Sequence, residues 1–251
     1  MRLVKKILCT ACQLFYLQAA ENTWVVGTAS GYAPFVNLSE QGELEGFDIA
    51  VAKDLAQRME KTLVLKDLGS LNTLAMALEQ GKIDSIIWAI SITPERCKKM
   101  RMLHYQGTTV SSFPLLFYRQ IPDGITKLED LVNKPEVTLS VEAGSIQESF
   151  LQSMEGLQVQ CSDSITQGIL DLRFGKTTAL LIDPSLKQQI IEKVPSIKSL
   201  EIVLPEQFCS YGHGICLRLD DTALAVELEQ AIADMKQDGT VRRLEELWGI
   251  Q

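Results

Sequence analysis

The chain has 251 residues, 46% of them hydrophobic and 22% charged, enough apolar material for real cores and outside the disordered and low-complexity classes. Its formal charge of -8, with no Lys/Arg cluster interleaved with aromatics, argues against a nucleic-acid surface and for a soluble, self-repelling one. The length allows one large domain or two of ordinary size.

The first segment differs from the rest. Arg2, Lys5 and Lys6 precede an uncharged run from Ile7 to Ala20 that holds Leu8, Leu14, Phe15, Tyr16 and Leu17, and polar sequence resumes at Glu21. This reads as a secretory signal over residues 1–20, too short for a membrane span, with export to the periplasm implied. Gln18 makes the cleavage site after Ala20 imperfect, and a second reading takes Cys12, after Thr10-Ala11, as a lipidated anchor.

Beyond the signal the elements follow in order. Trp24–Val26 is a short strand that enters the loop Gly27–Gly31, and Gly46–Lys61 is helical, with Phe47, Val51, Leu55 and Met59 on one stripe. Thr62–Lys66 alternates as a strand, and Leu71–Gln80 is a helix stopped by Gly81. Ile83–Ile90 is a nearly continuous apolar run, expected to be a strand buried on both faces. Thr93, Pro94 and Glu95 then have the order of a helix cap, first turn and dipole partner.

The same grammar restarts with a strand at Val137–Val141, a helix at Ile146–Met154 after Gly144-Ser145, and a strand at Leu157–Val159. A helix at Ser164–Phe174, a buried strand at Thr178–Ile182 and a helix after Asp183-Pro184 complete it. Two α/β units with largely parallel sheets are expected. A strand at Ile215–Arg218, a long helix at Asp221–Gln237 and a last helix at Thr240–Trp248 close the chain. Cys97, Cys161, Cys209 and Cys216 lie beyond the signal, and the sequence leaves open both their pairing and their remaining free thiols. His104 and His213 lack metal-ligand spacing, so neither a metal nor a cofactor is expected. Gly175-Lys176-Thr177 looks like the end of a phosphate loop, but Leu170 stands where that loop requires glycine.

Several motifs in fixed order carry a family resemblance: Gly31-Tyr32-Ala33-Pro34-Phe35, Gly46-Phe47-Asp48-Ile49, and Gly81-Lys82-Ile83-Asp84 followed by Ser91-Ile92-Thr93-Pro94-Glu95-Arg96. Gly144-Ser145 before a helix, Asp183 after a buried strand and Asp238-Gly239-Thr240 complete the set. From Trp24 to Trp248 the chain resembles the amino-acid-binding periplasmic solute-binding proteins of ABC importers, family 3 of the bacterial extracellular solute-binding proteins. The resemblance implies a two-lobed clamp of the type-2 periplasmic-binding fold, monomeric, that closes on a free amino acid and delivers it to a permease with a separate ATPase subunit. Residues 21–111 and 211–251 would form one lobe and residues 112–210 the other, hinged near Thr108–Phe113 and Cys209–Gly212. The same architecture also serves a few dehydratases of prephenate-like acids and some sensors. An enzyme is not expected here, because no Ser-His-Asp, metal or paired-acid constellation is legible.

A free amino acid brings a carboxylate and an ammonium, and burying both is costly unless each is paired. The planar fork of Arg96 suits the carboxylate, and the resemblance assigns it that role, with Ser91 beside it and Ala89 contributing a backbone carbonyl. Thr93 has two readings, helix cap and ligand contact. Asp183 likewise reads as a cap, while the resemblance assigns it to the ammonium. Ser145 and Ile146 open a helix of the second lobe on the carboxylate side, and Tyr32 would wall the side-chain pocket. Relatives that bind basic or amide side chains often carry an acid where Ala29 stands, an aromatic where Leu71 stands and a small polar residue where Trp88 stands. The departure favours a neutral ligand side chain, polar or moderately apolar, with arginine not excluded. Glu142 is an acid that could enter the pocket and supply the missing charge.

Overall fold

The computed structural model describes residues 22–250; the expected signal segment and Cys12 lie outside them. The strands run in chain order as β1 (Thr23–Thr28), β2 (Asn37–Leu38), β3 (Leu44–Glu45), β4 (Thr62–Asp67), β5 (Ser85–Ile86) and β6 (Arg101–Val110). After these come β7 (Ser112–Tyr118), β8 (Thr138–Glu142), β9 (Gln158–Ser162), β10 (Ala179–Leu181), β11 (Ile197–Val203) and β12 (Ser210–Leu217).

They build two five-stranded sheets, ordered β4-β1-β5-β12-β6 and β11-β7-β10-β8-β9. In each sheet three strands run parallel, β4-β1-β5 and β10-β8-β9, and the pairings with β12, β6, β7 and β11 are antiparallel. The expectation of largely parallel sheets is therefore corrected. The reason lies in the long strands β6, β7, β11 and β12, which link the two sheets and return the chain alongside itself. The chain leaves the first sheet after Val110, enters the second at Ser112, and comes back between Val203 and Ser210. Each lobe has its own core, with Trp24, Phe47, Leu55 and Ile83 in the first and Phe113, Leu139, Leu151 and Leu181 in the second. The two cores are separate, with the cleft between them.

Two of the family motifs prove to be docked on each other. The helix Phe47–Arg58 has no side-chain cap, because its N-cap is Gly46. Its first free N–H groups are taken instead by the loop before it: Phe47 N–H donates to Pro34 O and Asp48 N–H to Phe35 O, both at 3.0 Å. Gly46 sits at φ 127°, and a Cβ there would come within 2.2 Å of Phe35 O, so only glycine lets the two backbones meet. Six further helices start on side-chain caps: Ser70, Thr93, Ser145, Ser164, Asp183 and Asp221 each accept a backbone N–H from the first turn, whereas the last helix, Thr240–Trp248, starts from Gly239 without one.

The apolar run Ile83–Ile90 departs from its expectation. Only Ser85–Ile86 pairs as a strand; the chain then leaves the ladder, and Ala89 adopts φ 44°. A buried side chain competes for the backbone there: Asp48 accepts the Ala89 N–H at 2.7 Å and the Tyr105 hydroxyl at 2.6 Å. Ile90 O and Ile92 N–H then pair with Gly214 and Gly212, so the segment that carries Ser91 is pinned to the returning strand β12. Among the described residues, the four cysteines whose pairing the sequence left open are free thiols; Cys216 is buried and Cys97 and Cys161 are exposed.

Candidate ligand-binding site

Among the cavities between the lobes, one of about 30 Å³ gathers the charged candidates of both. Tyr32, Leu71, Trp88, Ala89, Ile90, Ser91 and Arg96 line it from the first lobe, and Glu142, Ser145, Ile146, Gln147 and Asp183 from the second. Nine of the residues singled out as ligand candidates are thus brought to one place: Arg96, Ser91, Asp183, Tyr32, Ala89, Ser145, Ile146, Leu71 and Trp88. Glu142, the acid considered as an extra charge, is there too.

Two candidates are not. Ala29, the residue after β1, is fully buried in the core of the first lobe and is not part of the cavity lining. Thr93 is a cap, its Oγ1 accepting the Arg96 N–H at 3.2 Å, and it lines a neighbouring cavity that also borders Arg96, Ser145 and Ile146 instead of this one. Sequence reasoning missed Ile90 and Gln147. Ile90 was hidden by its reading as part of a regular strand. Gln147 follows the Gly144-Ser145 helix start, and its place in the first turn was the available signal.

Arg96 spans the cleft. Its Nη1 donates to Ser91 O at 2.9 Å and its Nη2 to Gly144 O at 3.2 Å, so one guanidinium grips backbone from both lobes. The five-residue spacing from Ser91 to Arg96 acquires its meaning here: the capped turn at Thr93 folds the arginine back onto the end of its own strand. A guanidinium has five N–H donors, and these two contacts leave others for a carboxylate. Gly144, at φ 77°, lies so near the facing lobe that a Cβ would come within 2.8 Å of Asn72 Oδ1. Glycine at that position lets the lobes close.

Asp183 is 6% exposed and combines its two readings. Its Oδ1 accepts from the Ser185 N–H at 2.9 Å and the Ser185 hydroxyl at 2.5 Å, which caps the helix Pro184–Lys193. Both bonds fall on one oxygen, and the other remains for a cation. Tyr32 packs on Trp88 with ring centroids 5.1 Å apart. Among the described residues, the buried indole N–H of Trp88 has no hydrogen-bond partner.

The lining has three charged side chains, Arg96, Glu142 and Asp183. Burial, reinforced by Asp183, pushes the Glu142 carboxyl up to about 8 against the pull of the Ile165 N–H and of Arg96. Burial also lowers Arg96, though a guanidinium keeps its proton in any protein. Tyr32 is raised well above its ordinary value by burial and then by Asp183 and Glu142, so it stays a neutral phenol. Such a cavity provides one fixed cation and two acids in a water-poor setting, a set that pairs both ends of a zwitterion.

Comparison with known proteins points the same way. The family model of bacterial extracellular solute-binding proteins, family 3, matches residues 24–251. A probable ABC transporter arginine-binding protein, ArtJ, of Chlamydia trachomatis serovar D is 29% identical over 250 residues, covering 97% of this chain and 94% of the relative. An ancestral arginine-binding protein solved with arginine superposes with a TM-score of 0.80 at 27% identity, over 90% of this chain and 98% of that one. The ancestral amino-acid-binding protein AncCDT-1, a precursor of cyclohexadienyl dehydratase, gives a TM-score of 0.77 at 25% identity, over 91% of this chain and 96% of that one.

The buried acid behind the site makes stability depend on pH. Burial pushes Asp48 up to about 7, although Tyr105 and Ala89 both donate to it. The folded state therefore binds this proton more tightly than the unfolded chain. The resulting stability is full below about pH 4 and is lost as pH rises through about 7. Glu142, at about 8, acts in the same direction. Unfolding free energy, measured by denaturant titration, should fall between about pH 5 and pH 8. Asp48→Asn should remove roughly 1–3 kcal/mol of that decline; a variant with the wild-type slope would contradict the assignment.

Proposed function

The chain belongs to the bacterial extracellular solute-binding proteins, family 3, and on that premise we propose that it captures a free L-amino acid and delivers it to the permease of an ABC importer, whose separate ATPase supplies the energy. The observation that carries this reading is the convergence of Arg96 and Asp183, from opposite lobes, on one cavity. Arg96 takes the ligand carboxylate and Asp183 its ammonium, so each lobe holds one end of the same small molecule. A ligand that makes both contacts only in the closed form shifts the equilibrium toward closure. The crossings at Val110–Ser112 and at Val203–Ser210 are the hinge of that motion. The relative named as an arginine-binding protein and the ancestral protein solved with arginine support an amino acid as ligand.

The preference for a neutral side chain, drawn from Ala29 and Leu71, loses part of its basis: Ala29 is in the core and Glu142 adds a carboxyl to the lining. The chain acts as a monomeric binder and leaves its ligand chemically unchanged. It works outside the cytoplasmic membrane, after removal of residues 1–20.

Three tests follow from this reading. In a thermal-shift screen against the common amino acids, a ligand at about 100 times its Kd adds about 2.7 kcal/mol of stability, and the bound amino acid should be recovered intact. Arg96→Ala should weaken that ligand by roughly 2–5 kcal/mol, because a buried carboxylate loses its partner; wild-type affinity by calorimetry would sink the assignment. N-terminal sequencing of the protein recovered from its native cells should begin shortly after Ala20. An intact Met1 in the finished protein would refute export, and a lipidated Cys12 would replace free release with an anchor.

A further inference from the structure

We propose that Glu142 selects a ligand whose side chain carries a positive charge, by offering it the one carboxyl of the cavity that the amino-acid head group leaves unused. The inference rests on the head-group reading of Arg96 and Asp183 given above. Glu142 ends β8, is 7% exposed and faces the cavity. Its carboxyl accepts the Ile165 N–H, and a carboxylate retains acceptor sites beyond one such bond.

The charge count decides the matter. A zwitterionic head group adds no net charge, so Arg96, Asp183 and an ionised Glu142 leave the closed site with one uncompensated negative charge. A buried charge of that kind is resolved either by taking up a proton or by meeting a cation. A neutral ligand leaves only the first route, whereas a ligand with a cationic side chain supplies the second. The titratable and charged groups whose fields reach Glu142 are Asp183 at the start of its helix and Arg96 from the opposite lobe; the field of Glu142 is felt in turn by Tyr32, which stays neutral. Behind Arg96 and Asp183, His213 is kept low by burial and so stays uncharged. With its carboxyl pushed up to about 8, Glu142 is the group that takes up the proton.

It follows that the complex with a neutral ligand holds about one proton more than the complex with a cationic ligand of the same shape. The unliganded protein is common to both, so its own protonation cancels from the comparison. Rising pH must then favour the cationic ligand over the neutral one, by up to about tenfold per pH unit below about pH 8.

The experiment compares L-arginine with L-citrulline, which replaces the guanidinium by a neutral ureido group of similar size. Calorimetry on the full exported chain gives both affinities between about pH 5.5 and pH 7.5. The arginine-to-citrulline affinity ratio should rise at least about tenfold across that range. In Glu142→Gln the ratio should be flat with pH and at least about tenfold lower at the upper end. The wild-type pH series stands by itself if the variant folds poorly. A ratio that is independent of pH in the wild type, or unchanged in Glu142→Gln, overturns the proposal while any amino-acid binding leaves the head-group reading intact. If no amino acid binds at all, the head-group reading falls and this inference falls with it.

Discussion

The guanidinium of Arg96 is half-buried between two lobes and holds a backbone carbonyl of each, Ser91 on its own side and Gly144 across the cleft. A cation in that position cannot be left without counter-charges, and two carboxyls, Asp183 and Glu142, share its cavity. Taking charges out of water is expensive, and the expense is recovered only with good pairing. Most of what is distinctive in the cleft can be understood as a response to that constraint. In the proposed reading, an amino acid completes this set of charges from both sides at once.

Holding an arginine at such a spot requires a rigid mount. The mount starts in the buried Asp48, which fixes the Ala89 N–H and the Tyr105 hydroxyl. That bond draws the chain out of regular pairing at Ala89, so that residues 89–91 line the cavity while Ile90 and Ile92 stay pinned to β12. Asp48 is itself held by the docking of the Gly46 helix start on the Pro34 and Phe35 carbonyls. The capped turn at Thr93 then returns Arg96 to Ser91. On the facing lobe, Ser145 and Asp183 cap their helices, and Gly144, next to Ser145, has no side chain to hold off the first lobe. Family motifs that look like ligand contacts in the sequence thus divide into two classes, those that touch the cavity and those that aim the former.

Much of this was legible from the sequence because helix periodicity and caps are local properties. The helices at Phe47–Arg58, Leu71–Glu79, Ile165–Arg173 and Thr240–Trp248 lie close to where their apolar stripes and stop glycines put them. The strands β6, β7 and β11 were passed over, because their apolar residues answer to neighbours far away in the chain and show no alternation to read. The strand that was overdrawn, Ile83–Ile90, failed for a related reason: its apolar run is real, but a carboxylate forty-one residues earlier takes its N–H. Arg96 and Asp183, given their head-group roles by the family resemblance, reach the cavity together. Ala29 was chosen by what it lacks, and a missing side chain gives no force that would keep a position in the pocket.

The account's central claim is that ligand charges from both ends draw the lobes together through Arg96 and Asp183. Small-angle scattering of the exported chain, with and without a saturating amino acid, tests it most directly. The radius of gyration should contract on binding in the wild type, and Arg96→Ala should show no contraction at the same ligand concentration. An unchanged wild-type profile at proven saturation would contradict closure driven by the ligand.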